Sequence, residues 1–185
     1  QVKKWRDANH SKLWVAVNLS ARQFQDQALL NKVGQILYES ELPSNSLRLE
    51  VTETVAMKDF EYSIKILKEM EALGIHLSLD DFGTGYSSLG YLKRFPIKSL
   101  KIDRSFIRDI QNDKNSEAIT SAIIALGHNL SLEVVAEGVE TEAQLVFLRS
   151  HICDIVQGFL FSLPVPAAKL EEMLNKSAYT IGEVS

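Results

Sequence analysis

Cysteine is nearly absent from the 185-residue sequence. Cys153 stands alone, so no internal disulfide can form, and the chain reads as one suited to a reducing compartment, the cytoplasm. Proline is scarce as well. Pro43, Pro96, Pro164 and Pro166 all fall between periodic segments, where proline acts as turn punctuation. No apolar run approaches the ~20 residues that a membrane helix needs. Any membrane anchor of the parent protein is therefore expected in regions upstream of this sequence. A basic surplus is missing too: 20 Lys and Arg face 24 Asp and Glu, for a net charge of −4. A polymeric nucleic-acid binder needs a basic face, and this balance argues against one. There is no low-complexity segment, long linker or internal repeat. The first ten residues are polar, lack an initiator Met and do not make a signal peptide, so the sequence is expected to begin inside a longer protein.

What is present is the composition of a globular domain, with 45% hydrophobic and 24% charged residues. The length predicts one domain over residues 1–185. Short apolar runs at residues 13–19, 47–51, 75–79, 97–102, 132–136 and 154–156 alternate with stretches of 3.6-residue periodicity. Ile66, Met70 and Leu73 make one helical stripe, with Gly74 as its stop. Ala118, Ile119, Ala122, Ile123 and Leu126 make a second. Thr141 and Gln144 have capping-box spacing for a third helix, and a last helix is expected over about residues 167–175.

Six strand–helix units in series predict an α/β fold with a parallel sheet, doubly wound or closed into a barrel. Two observations favour the barrel. No phosphate-binding glycine loop follows the first strand. Nearly every strand also ends in a polar residue: Asn18, Glu50, Asp80, Lys101, Glu137 and Gln157. In a barrel such residues converge on one face. A closed barrel of this kind has eight units, so the chain reads as a TIM-like (β/α) barrel whose N-terminal strands lie outside this sequence. Alternation along the strands turns Arg48, His76, Ser78, Ser99 and Asp103 inward with Glu50, Asp80 and Lys101. The barrel interior is then unusually polar, and its charges must be paired or metal-bound.

Glu53, Asp81, Asp103 and Glu140 lie at or just beyond the same strand ends. The cluster holds many carboxylates and one strong cation, Lys101. All-oxygen donors suit Mg²⁺ or Mn²⁺, and no His or Cys sits at a strand end to favour zinc. Four carboxylates and an amide suffice for two ions sharing one carboxylate, an arrangement suited to phosphodiester hydrolysis. Each residue also has a plainer reading. Asn18 could be a turn residue, Glu50 and Glu53 solvated strand and cap residues, and Lys101 an ion-pair partner of Asp103. It is the joint placement at strand ends that separates the cluster from those readings.

The segments Val17-Asn18-Leu19-Ser20, Leu49-Glu50-Val51-Thr52-Glu53, Asp80-Asp81-Phe82-Gly83-Thr84-Gly85-Tyr86-Ser87-Ser88-Leu89, Leu100-Lys101-Ile102-Asp103, Ala136-Glu137-Gly138-Val139-Glu140 and Gln157-Gly158-Phe159 resemble, in order, the motifs of the EAL domain family. The resemblance covers about residues 14–170. It implies a barrel of EAL type and hydrolysis of cyclic di-GMP to linear pGpG with two Mg²⁺ or Mn²⁺ ions. By position, Asn18, Glu50 and Asp80 resemble ligands of a first ion. Asp80, Asp81 and Glu137 resemble ligands of a second, with Asp80 bridging. Glu137 also resembles a general base, Lys101 the group that orients water and offsets phosphate charge, and Gln157 a polar neighbour of water and substrate. Glu53 resembles the glutamate that holds the loop at residues 82–89, with Asp103 and Glu140 as supports. The resemblance further implies a homodimer with a contact near residues 88–94, and upstream GGDEF or sensory domains.

The Glu-Ala-Leu strand that names the family is not in this sequence, and its Glu is a first-metal ligand. This leaves a second expectation, a catalytically impaired cyclic di-GMP receptor or regulatory module. A third, a Schiff-base aldolase using Lys101, follows from a lysine inside a barrel.

Overall fold

The computed structural model describes residues 1–85 and 89–175, with Leu89 by its backbone alone. Among the described residues, six parallel strands form one curled sheet in sequence order. They are β1 (Val15–Asn18), β2 (Leu47–Thr52), β3 (His76–Phe82), β4 (Ser99–Ile102), β5 (Glu133–Glu137) and β6 (Ile155–Gln157). The helices are α1 (Val2–Asp7), α2 (Ala21–Phe24), α3 (Leu29–Ser40), α4 (Glu53–Lys58), α5 (Phe60–Ala72), α6 (Leu89–Leu92), α7 (Arg104–Asp109), α8 (Lys114–Asn129), α9 (Glu142–Ser150) and α10 (Ala167–Asn175). The alternation read from the sequence is thus the architecture of the chain. Among the described residues, no helix is long and apolar enough to cross a membrane.

Strand chemistry explains why the helices lie on one side. Leu49, Val51, Leu77, Leu79, Leu100, Ile102, Val134 and Ala136 point outward and are at most 2% exposed beneath the helices. The residues between them face the concave side, and apart from Val135 they are polar. Parallel strands buried on both faces usually read as continuous apolar runs. These strands alternate instead, because their inner side chains are paired. Arg48 bonds Glu133, and His76 lies 3.0 Å from Ser99. Ser99 in turn lies 2.8 Å from Ser78.

Local rules set the helix ends. Thr141 and Gln144 form the expected capping box at α9, and Ser20 and Gln23 form another at α2. Two expectations are corrected. Leu73 is the C-cap of α5 and 42% exposed, so it leaves the buried stripe, although Gly74 (φ +80°) does end the helix. In α8 the buried face is Ser116, Thr120, Ile123, Ile124 and Gly127, while Ala118, Ile119 and Ala122 are exposed. Small polar residues permit the closer approach, and a count of apolar residues overlooks them.

Candidate active site

Lys101 is the centre of the concave face. Its Nζ lies 2.6 Å from Glu50 Oε2, 2.7 Å from Glu137 Oε1 and 3.2 Å from Asp80 Oδ1. The four residues come from β4, β2, β5 and β3, and Lys101, Glu50 and Asp80 are buried. Burial by itself pulls the ammonium pKa down, but hydrogen bonds to Glu137 and Glu50 outweigh that and hold it above the ordinary lysine value. Lys101 is therefore a fixed cation. A Schiff-base nucleophile must present a free amine, whereas the Lys101 Nζ is tied to three carboxylates, which counts against the aldolase expectation. Glu137 is pushed up, first by burial and then by Asp80 and Glu50, with Lys101 opposing. One cation shared among several carboxylates does not neutralise them all.

Asp81 reaches this group through a backbone irregularity. Consecutive strand residues point to opposite faces, so Asp80 and Asp81 should diverge. The β3–β4 register instead shifts between Leu79 and Phe82, and Asp81 adopts φ +54°. Its own N–H donates to Asp80 Oδ1 at 2.9 Å. One ligand oxygen each from Asp80, Asp81 and Glu137 then lies within 4.8 Å of the others. The Asp81 carboxyl is pushed up by burial, by Asp80 and by Asp103. A pocket of hard oxygen donors carrying surplus negative charge matches a divalent oxygen-seeking cation.

The other predicted residues surround this core at different distances. Asn18 ends β1 in register with Glu50, and its side chain is exposed. Gln157 ends β6 in register with Glu137 and is also exposed. Gln157 and Glu137 share a cavity of about 200 Å³ with Arg104, Glu140 and Phe159. Gly158 is required at its floor, since a Cβ there would sit 2.1 Å from the Val139 carbonyl oxygen. Glu53 opens α4, is 2% exposed and accepts the Gly83 N–H at 3.1 Å. It thus holds the start of the loop after β3. Tyr86, Ser87 and Ser88 of that loop, the last also the start of the expected dimer contact, lie outside the described residues.

Asp103 is placed differently from one expectation. It caps α7, accepting the Ser105 N–H at 2.8 Å, and the ion-pair partners of Lys101 are Glu50, Asp80 and Glu137. Glu140 is exposed, and its N–H donates to Gln144 Oε1 at 2.7 Å. Sequence reasoning missed Arg104. It lines both this cavity and a larger one of about 490 Å³ with Asp103, Arg108 and Glu140. Its signal was a basic residue directly after the β4 strand-end pair.

Comparison with known proteins follows the same lines. The chain is 50% identical over 170 residues to the bifunctional diguanylate cyclase/cyclic di-GMP phosphodiesterase MucR of Pseudomonas aeruginosa, covering 92% of this chain and 25% of that protein. The solved PaMucR phosphodiesterase in complex with c-di-GMP superposes with a TM-score of 0.89 at 50% identity, over 91% of this chain and 68% of that one. The manganese/cy-diGMP complex of Klebsiella pneumoniae BlrP1 gives a TM-score of 0.79 at 32% identity, over 88% of this chain and 42% of that one. The chain spans about a quarter or less of the length of curated relatives it matches. The EAL domain model matches residues 1–164, and with the strand-end cluster in place this chain belongs to the EAL domain family.

Proposed function

We propose that this chain is the hydrolytic barrel of a cyclic di-GMP phosphodiesterase that opens the cyclic dinucleotide to linear pGpG. The observation that carries the reading is the convergence of Glu50, Asp80, Asp81 and Glu137 around Lys101, in a chain half identical to a phosphodiesterase. Two Mg²⁺ or Mn²⁺ ions fit the donor set, with Asn18, Glu50 and Asp80 toward one and Asp80, Asp81 and Glu137 toward the other. When bound, such ions polarise phosphoryl oxygens and acidify water.

The protein groups have separate tasks in this reading. Glu137, its carboxyl raised by burial, takes the proton from the attacking water. Lys101 stays charged and offsets negative charge developing on the phosphoryl oxygens. Gln157, at the mouth of the cavity, orients water and substrate. Glu53 keeps the loop after β3 in place, and Asp103 and Glu140 support the surrounding strand ends. In its parent protein the chain works in the cytoplasm as a homodimer, joined to upstream GGDEF or sensory domains.

The test is to incubate the protein, with its upstream strands supplied, with cyclic di-GMP and Mn²⁺ or Mg²⁺ and to follow pGpG. Linear product that disappears with chelator supports the proposal. Turnover indifferent to chelator overturns the metal assignment. Tight binding of cyclic di-GMP without product assigns the receptor role instead.

A further inference from the structure

One layer below the acid cluster, a second set of inward side chains crosses the sheet. Arg48 on β2 donates from Nη1 to Glu133 Oε2 on β5. Its guanidinium also lies 3.8 Å over the ring of Trp14, the residue before β1. Between them on β3 and β4, His76 and Ser99 are 3.0 Å apart, and Ser99 lies 2.8 Å from Ser78. The belt therefore runs from the start of β1 to β5.

The pair is informative because its strands are not neighbours. β3 and β4 separate β2 from β5. Adjacent strands lie ~4.8 Å apart, so three steps across a flat sheet would span roughly 14 Å. Side chains standing upright on a flat sheet would not meet over that span. They meet here because the sheet curls, and the contact in turn resists its flattening. The same curl brings Glu50 and Glu137 to one ammonium. Glu50 lies two residues beyond Arg48 on β2, and Glu137 lies four beyond Glu133 on β5, all on the inner face. The Arg48 and Glu133 side chains are 14% and 32% exposed, so solvent screens the pair only in part.

We propose that the Arg48–Glu133 pair is a strut that sets the curvature of β2–β5 and so the spacing of Glu50 and Glu137 around Lys101. Arg48 and Glu133 are positioning residues for the site. The strut stands on geometry alone, and its consequence for metal binding rests on the function proposed above.

Three variants of the whole chain test it: Arg48→Met, Glu133→Gln, and the exchanged double variant Arg48→Glu with Glu133→Arg. The first readout is the ammonium NMR signal of Lys101 in ¹⁵N-lysine-labelled protein held metal-free by chelator. The second is Mn²⁺ affinity by paramagnetic resonance. Each single variant should shift or broaden the Lys101 signal and weaken Mn²⁺ binding ~10-fold, as loss of groups that orient metal ligands does. The exchange should recover part of both. A folded single variant with both readouts unchanged overturns the strut. Should the single variants fail to fold, Glu133→Asp retracts the carboxylate by one methylene, and an unmoved Lys101 signal there also overturns it. If the parent protein binds no Mn²⁺ while the Lys101 signal still responds to Arg48→Met, the strut stands and the metal assignment falls.

Discussion

Lys101 Nζ lies 2.6 Å from Glu50 Oε2, a contact that reaches from β4 over the whole width of β3 to β2. The two side chains are 4% and 10% exposed, so neither charge has much water to fall back on. Removing one partner of a buried pair typically costs about 3–5 kcal/mol because the other charge is left uncompensated. Lys101→Met should therefore lower the stability of the chelator-treated protein by about that amount. Added Mn²⁺ should then raise the melting temperature of the variant more than that of the parent protein, because the ion replaces the missing positive charge. Calorimetry with and without Mn²⁺ checks both statements, and equal metal-dependent shifts would count against an ion among these carboxylates.

A second prediction separates the loop from the fold. The Glu53 carboxylate accepts the Gly83 N–H at 3.1 Å, and a Cβ on Gly85 would come within 2.6 Å of Glu53 Oε1. Glu53→Ala removes the partner of an N–H on exposed Gly83, which can turn to water instead, so the loss should be about 0.5–1.5 kcal/mol. Gly85→Ala pushes the same carboxylate aside from the loop, so its stability loss should be no larger than that of losing the hydrogen bond, about 0.5–1.5 kcal/mol. Both variants should lose turnover of cyclic di-GMP. Full activity in a folded Gly85→Ala variant whose melting temperature has dropped would show that the Glu53–loop contact does not govern the site.

The parts of the site legible in the sequence were those set by local period. Alternation turned Glu50, Asp80 and Lys101 inward and placed Arg48, Ser78, His76 and Ser99 beneath them, as the structure has them. What depends on curvature was not legible. No period tells that Arg48 meets Glu133, 85 residues away, because that contact needs the sheet to curl over two intervening strands. Alternation would also have sent Asp81 to the wrong face. Its left-handed backbone and the register shift beside it are a local exception that only the folded chain displays. The α8 stripe was misphased for a simpler reason: Ser116 and Thr120 are buried, and a hydrophobic pattern does not count them.

A third prediction concerns strain far from the chemistry. Ile152 follows the end of α9 at φ +60° and is 75% exposed. Its N–H donates to the Arg149 carbonyl at 3.0 Å, and the Cys153 N–H donates to the Leu148 carbonyl at 3.0 Å. This is the left-handed helix stop that glycine usually fills. A β-branched residue there costs roughly 1–2 kcal/mol of strain, and its apolar side chain gains little burial in return. Ile152→Gly should stabilise the protein by about 1 kcal/mol, once the extra freedom glycine gives the unfolded chain is deducted. Urea denaturation measures it. A midpoint that stays put or falls would mean that the Ile152 side chain contributes more than its exposure indicates.

The belt beneath the site also carries a pH dependence. His76 is half-buried, and its imidazole is held below the ordinary value of 6.5, first by burial and then by the positive charges of Arg48 and Lys98, with Glu133 opposing. A base whose folded pKa is depressed binds protons more readily in the unfolded chain. Its contribution to stability is therefore complete above pH 6.5 and is lost as pH falls through the lower folded value. The parent protein should lose more melting temperature between pH 7.5 and 5.5 than His76→Gln does. Arg48→Met gives the sharper test. It removes one of the charges that depress His76 and leaves Glu133 unpaired beside it, and both changes favour the imidazolium. NMR titration of His76 should then move upward toward the free value, and the acid sensitivity of the melting curve should flatten with it. An unmoved titration in the folded variant would show that burial and Lys98 depress His76 and that Arg48 does not reach it electrostatically.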